Sequence, residues 1–462
     1  MKRTALIILL AVSLLPAETK EFKKSISADK ARKVEMHGFN GSEIAVKTWN
    51  KNEVFVNVSV DYSLSDREQE SEKLQQYDIV LEQSGDRIEV RFKEPKNVNE
   101  GFSFKHFFRS LFSTTYSQLT VTGEIYLPAN TDLTSDMRYG TYSVAGVAGD
   151  LTLTGVSNML TVKNCPSVKK IENNYGTTTV LQCGGSLAFT GESTTLVVED
   201  FKGAVNANAN YSNVTLSRIS NDVSVTCSSG RVTGDSIGGN LSVDASYSVI
   251  DMTNIKGNAT VASQSGTIRV KNANGATITA PYSNISLATV NDSGSPVSVR
   301  NTSGKTEITD VTRDVQIDDS YSTIALTNIR GNVSVSGTGL TFRGKKIIGN
   351  FSIKNEYGDI RVDELSASTV EVKNRSNSVD ISLLTKPSKI DITNEYGPVS
   401  ISFPEYSGEV RLKASYGSIR TNLPVEVEEM GGGAIAIGKV GNGSSTLNIK
   451  TVSGTIDVQQ KK

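Results

Sequence analysis

Along most of this chain, apolar residues recur at fixed places in a unit of about 18 residues. With the units aligned, the fourth and sixth positions are apolar: Val214 and Leu216, Ile250 and Met252, Ile268 and Val270, Ile285 and Leu287, Ile324 and Leu326, Ile360 and Val362. The ninth is apolar too, as in Val147, Cys165, Cys183, Phe201, Ile219, Ile237, Ile255, Val311, Ile329 and Ile347. Positions thirteen and fifteen complete the set with Leu151 and Leu153, Val223 and Val225, Leu241 and Val243, Val315 and Ile317, Val333 and Val335, Phe351 and Ile353. Residues two apart on a strand face the same way. Each unit therefore predicts two short strands with apolar faces and a third apolar point between them. No unit can bury that surface alone, so the units must stack in register around one core.

The first position of the unit sets the period. Tyr139, Tyr175, Tyr211 and Tyr247 are 36 apart, and Tyr282, Tyr321, Tyr357 and Tyr396 continue at nearly that step. Ser157, Ser193, Ser229, Ser265, Ser303 and Ser376 fall between them. The expected fold is all-β: a right-handed, single-stranded parallel β-helix. A left-handed hexapeptide helix would place one apolar residue every six positions, which these columns do not match. From Tyr139 to Val458 there is room for about 17 to 18 coils, a rod of roughly 85 Å. Gly41, Ile44, Val46, Trp49, Val54 and Val56 read as an early coil, and roughly 61–120 as an insertion after it. Residues 18–120 thus form an N-terminal coil with an insertion or cap, and 121–462 the solenoid. Ser453 to Val458 read as a final partial coil.

Lys2 and Arg3, the apolar run Ala5 to Leu15 and Pro16-Ala17 read as a secretory signal peptide over residues 1–17. The protein is then exported, to the periplasm, the cell surface or the medium. A net charge of −1 offers no basic footprint for nucleic acid. Three cysteines do not make a disulfide framework. Cys165 and Cys183, in one column, read as buried thiols or as a bridge, and Cys227 as a small turn residue.

No catalytic constellation, metal-ligand spacing or cofactor motif is visible, and the chain reads as no enzyme. The nearest candidates are the acidic group Asp310, Asp314, Asp318 and Asp319 beside Arg313, and the turn Asn291-Asp292-Ser293-Gly294, which lengthens one coil by about three residues. Three surface features remain. Outward positions of the first strand carry Thr177, Thr179, Thr215, Thr233, Thr267 and Thr323. These offer a polar face for an extended glycan, or serve simply as good strand residues. The tyrosine column covers a corner, with serine giving it room, or forms an aromatic track for sugar rings. Phe104, Phe107, Phe108, Leu111 and Phe112 line one side of a predicted helix with Lys105, His106 and Arg109 opposite. That helix would cap the open end of the stack, or dock on a membrane or partner.

His37-Gly38-Phe39-Asn40-Gly41, then Val46 to Trp49, then coils beginning Tyr-Gly-x-Ile or Ser-Gly-x-Ile, resemble the exported bacterial "putative adhesin" β-solenoid family. The resemblance implies a signal peptide, a right-handed parallel β-helix and a role in binding at the cell envelope. It supplies no catalytic motif to place on this chain. The expected function is adhesin-like or envelope-scaffold binding of a cell-surface glycan or envelope protein. A β-helix polysaccharide lyase or hydrolase, or a self-assembling rod, are the alternatives.

Overall fold

The computed structural model describes residues 18–63, 74–94, 118–291 and 296–461. Residues 1–17, read as a signal peptide, the Phe104 to Phe112 segment and the turn residues Asp292 to Gly294 lie outside the described residues. The fold is an all-β parallel solenoid of about 18 residues per turn and about 15 turns. Apart from a helical turn at Leu74 and Gln75, the described regular structure is strand. Contacts divide the chain into two units, 1–177 and 178–462.

In the second unit each coil supplies one strand to each of two sheets. Val214 pairs with Val232, Ile250 and Ile268 in turn along the first sheet. Val225 pairs with Ala207 and Val243 in the second. Every apolar column read from the sequence is buried, the ninth position included. Some later coils are longer. Ile285 pairs with Thr306, Ile360 with Val379 and Ile381 with Ile401, steps of 21, 19 and 20 residues by subtraction. These longer coils, and an irregular C-terminal end, leave fewer turns than the 17 to 18 expected.

That end departs from chain order. The coil formed by Lys389–Tyr396 and Val399–Phe403 is followed in sequence by Gly408–Tyr416 and Ile419–Thr421. The last strands, Ser445–Ser453 and Ile456–Gln460, lie between those two coils. Ile449 has Ile392 on one side and Leu412 on the other, and Val458 lies between Ile401 and Thr421. Gly433–Val440 then pairs antiparallel with Gly408–Tyr416, and Val427–Met430 antiparallel with Gly433–Val440, closing the second sheet. The hairpin buries Ala434, Ala436 and Val440. Its outer strand Val427–Met430 is exposed throughout and carries Glu428 and Glu429. Charge on an edge strand opposes further pairing.

The first unit closes with strands that run against the coils. Glu43–Trp49 pairs parallel with Thr141–Ala145 on one side and with Gln118–Pro128 on the other. Beyond these, Glu53–Ser63 and Glu18–Ser27 add antiparallel strands. In the other sheet Lys33–His37 lies between Asp132–Arg138 and Arg87–Lys93, with Asp78–Ser84 outermost and antiparallel. Part of the stretch read as an insertion thus joins both sheets. Gly38 takes φ +81°, and a Cβ there would lie 2.5 Å from the Phe92 carbonyl oxygen, so the His37-Gly38 step admits only glycine. Trp49 packs against Phe55 and Tyr126 at centroid distances of 5.8 and 5.1 Å.

Candidate functional site

A coil closes only if its backbone turns sharply at its corners, and two corner columns carry that turn. The eighth position is left-handed in coil after coil: Asn164, Asp200, Arg218, Ser236, Asn254, Asn272, Thr289, Asp310 and Asn328 all have φ between 53° and 60°. The residues are polar, and asparagine and aspartate tolerate this region best among residues with a Cβ. They also bond along the stack. Asn272 Nδ2 donates to Asn254 Oδ1 at 2.7 Å, and Asn328 Nδ2 to Asp310 Oδ1 at 2.6 Å. A sequence signal for this column exists in its run of Asn and Asp, but the apolar periodicity conceals it.

The turn before the second sheet forms a second ladder. The Asp222 carboxylate accepts the Asn240 backbone N–H at 2.7 Å, and the Asn240 side-chain oxygen accepts that of Asn258 at 3.0 Å. Asp314, Asn332, Asn350 and Thr369 repeat the arrangement at 2.8, 2.9 and 3.1 Å. Side-chain oxygens here satisfy N–H groups that the turn leaves without a strand partner.

The acidic group is thereby dispersed. Asp310 belongs to the eighth-position ladder and Asp314 heads the turn ladder. Asp318 faces outward from the second sheet, while Asp319 is buried. Its carboxylate accepts from Ser322 Oγ at 2.6 Å and Thr306 Oγ1 at 3.1 Å. Burial raises its pKa above the ordinary aspartate value despite those bonds. Asp319 shares an inward corner column with Cys227, Ala245, Ser263, Asn355 and Asn394, all buried. Asn355 shows how this column holds the corner, since its Nδ2 donates to the Leu340 carbonyl at 3.1 Å. Among the described residues no three His, Cys, Asp or Glu side chains gather as metal ligands. Cys165, Cys183 and Cys227 are buried thiols.

The threonines are separated. Thr215 and Thr233 are neighbours, with a 3.3 Å hydroxyl contact, and Thr323 lies beside Thr341. Thr267 instead lies between Val249 and Asn284, and the next outward column runs Thr233, Asp251, Arg269. Thr177 and Thr179 occupy the strand Thr177–Leu181. A longer uncharged column, which sequence reasoning passed over, runs down the second sheet: Asn206, Ser224, Ser242, Thr260, Thr277, Ser298, Gln316, Ser334 and Ser352.

The tyrosines stand at the corner where the second sheet passes into the first. Tyr139 and Tyr175 in the first unit, and Tyr211, Tyr247, Tyr282, Tyr321, Tyr357, Tyr396 and Tyr416 in the second, are between 46% and 69% exposed. Three of the rings touch the adjoining coil. Gly339 lies against the Tyr321 ring, Tyr247 Oη is 3.2 Å from Gln264 Oε1, and Arg375 stands over the Tyr357 ring while donating to its hydroxyl. About half of each tyrosine residue stays in solvent. The backbone does not ask for tyrosine. Tyr139, Tyr175, Tyr211, Tyr247, Tyr282 and Tyr321 are left-handed, with φ between 52° and 61°. Such a conformation costs a bulky residue about 1–2 kcal/mol. Elsewhere a following glycine takes the positive φ, as Gly230 does at +146°, where a Cβ would meet the Ser212 carbonyl oxygen at 2.0 Å.

Tyr416 was not legible in the column, because it follows Tyr396 by only 20 residues with no serine coil between. In space Ser453 of the intercalated last coil pairs with Tyr396 on one side and Tyr416 on the other. The alternation Tyr357, Ser376, Tyr396, Ser453, Tyr416 is therefore unbroken. At two strand spacings per tyrosine, the seven of the second unit mark an edge of roughly 58 Å.

Residues 274–459 match the family model described as Toastrack DUF4097. The match agrees with the β-solenoid resemblance read from the sequence. A solved structure, that of a "putative cell adhesion protein" from Clostridium sporogenes, is 11% identical with a TM-score of 0.17, the comparison covering 96% of this chain and 100% of that one. Comparison with the curated proteins finds no match.

Proposed function

We propose that this is an exported, non-catalytic, adhesin-like protein whose coils present a long repeating surface to a glycan or protein of the cell envelope. One observation carries the reading. The polar groups suited to chemistry are consumed in holding the corners, while the exposed aromatic side chains repeat along an edge instead of converging on a pocket. Asp310, Asp314 and Asp319 each serve a different corner device. That dispersal weighs against a lyase, which needs its acids in one groove. The exposed Glu428 and Glu429 on the terminal strand weigh against end-to-end assembly.

Co-sedimentation of the mature protein with cell-envelope fractions, intact and stripped of glycan, tests the reading. Binding to intact envelope supports it, and loss on stripping assigns the ligand to glycan. Failure to sediment with either fraction would overturn it.

A further inference from the structure

We infer that the corner from Tyr211 to Tyr321 is a binding track for an extended, uncharged, β-linked polysaccharide, with one stacking platform for every two coils. The inference rests on the binding reading above and names its surface and ligand class.

Three features select this ligand. First, spacing: Tyr211, Tyr247, Tyr282 and Tyr321 alternate with Ser229, Ser265 and Ser303, so the rings recur every two strand spacings, about 9.6 Å. That is the advance of roughly two sugar units in a fully extended β-1,4-linked chain, so every second sugar meets a ring. Second, isolation: a small polar coil separates each ring from the next. A protein interface needs a contiguous apolar core. A polysaccharide instead offers separated apolar C–H faces, each suited to one aromatic face, with hydroxyls between. Third, charge: the residues just before these tyrosines are Asn210, Ser246, Pro281 and Ser320, and two after them stand Asn213, Val249, Asn284 and Thr323. None of these is charged, the column's two charges, Arg231 and Lys305, standing on serine coils between them, and the amides and hydroxyls of Asn210, Asn213, Asn284 and Thr323 are donors and acceptors of the kind sugar hydroxyls use. The strained backbone adds weight. These four rings are held at φ 52° to 61°, where asparagine would fit with less strain, so the side chain is retained against a local cost.

The test uses the mature protein and cello- and chito-oligosaccharides of graded length, with affinity read by titration calorimetry. Affinity should rise with each added disaccharide and level off once the chain spans the four tyrosines. Tyr247→Asn with Tyr282→Asn keeps residues that accept the left-handed corner. It should leave the circular-dichroism melt intact or raised and weaken the longest oligosaccharides about a hundredfold, roughly tenfold per platform. Tyr247→Phe with Tyr282→Phe should bind nearly as well as the parent. Absence of binding to both series, affinity independent of length, or an asparagine variant that binds like the parent would each overturn the inference. Envelope co-sedimentation separates the two levels. An asparagine variant that still sediments with envelope removes the tyrosine track and leaves the adhesin reading standing. A parent protein that binds oligosaccharides and ignores envelope does the reverse.

Discussion

Val225→Asp tests the register of the stack most directly. Val225 is 1% exposed, on the inward face of the second sheet between Ala207 and Val243. Losing its buried side chain forfeits about 1.5–3 kcal/mol. Placing a carboxyl group with no hydrogen-bond partner in that position adds about 2–7 kcal/mol, even when the group is neutral. The sum, roughly 4–10 kcal/mol, is comparable with the entire stability of an ordinary domain. In a repeat stack it falls on the two interfaces this coil shares with its neighbours. Thr215→Asp is the control, on an exposed outward position of the same coil. It should shift stability by no more than about 0.5 kcal/mol. Urea denaturation followed by circular dichroism measures both. Val225→Asp should be unfolded or melt in two steps as the stack divides, with Thr215→Asp close to the parent. Equal transitions for the two variants would refute the column assignment.

Three further outcomes follow from the corners and the C-terminal end. The folded pKa of Asp319 is raised by burial, so the folded state holds its proton more tightly than the unfolded chain does. This carboxyl therefore favours folding below the unfolded value and loses that contribution as pH rises through the folded one. Asp319→Asn should raise stability at neutral pH, with the gain vanishing in acid. A gain independent of pH would show that burial of charge is not the cause. Asn332→Ala removes the acceptor for the Asn350 N–H and should cost about 1 kcal/mol in a chemical melt, against no change if solvent replaces the bond. Deleting residues 445–460 should unpair Lys389–Tyr396 and Val399–Phe403 on one side. Limited proteolysis should then cut within 404–444, while resistance equal to the parent would contradict the intercalated order.

The core was legible because its rule is local: Val214 and Leu216 announce inward positions whatever the rest of the chain does, and so do Val223 and Val225. What escaped reading depends on which segment lies beside which. Every coil carries the same columns, so Ile449 would fit beside any inward residue of that sheet, and nothing in its neighbourhood states that it lies between Ile392 and Leu412. The N-terminal closure escaped for another reason. Val54, Val56, Val58 and Val60 alternate as any half-buried strand does, and alternation does not distinguish parallel from antiparallel pairing. The tyrosine column was visible as a period, but the cost of its left-handed backbone emerges only from φ. The threonines left two readings open, a polar face or ordinary strand residues, because abundance along the chain does not give adjacency; in the stack the column that holds Thr233 continues with Asp251 and Arg269.

The intercalated last coil has a bearing on how the chain finds its end during synthesis. Gly408–Tyr416 leaves the ribosome before Ser445–Ser453, and its inward Val410 and Leu412 would suit direct docking on Ile390 and Ile392. That premature register would bring Tyr416 beside Tyr396 at a single strand spacing of about 4.8 Å and leave no serine coil between them. The correct arrangement puts Ser453 between them. The alternation of tyrosine and serine at this end is therefore complete only once the segment made last has entered between two coils made before it.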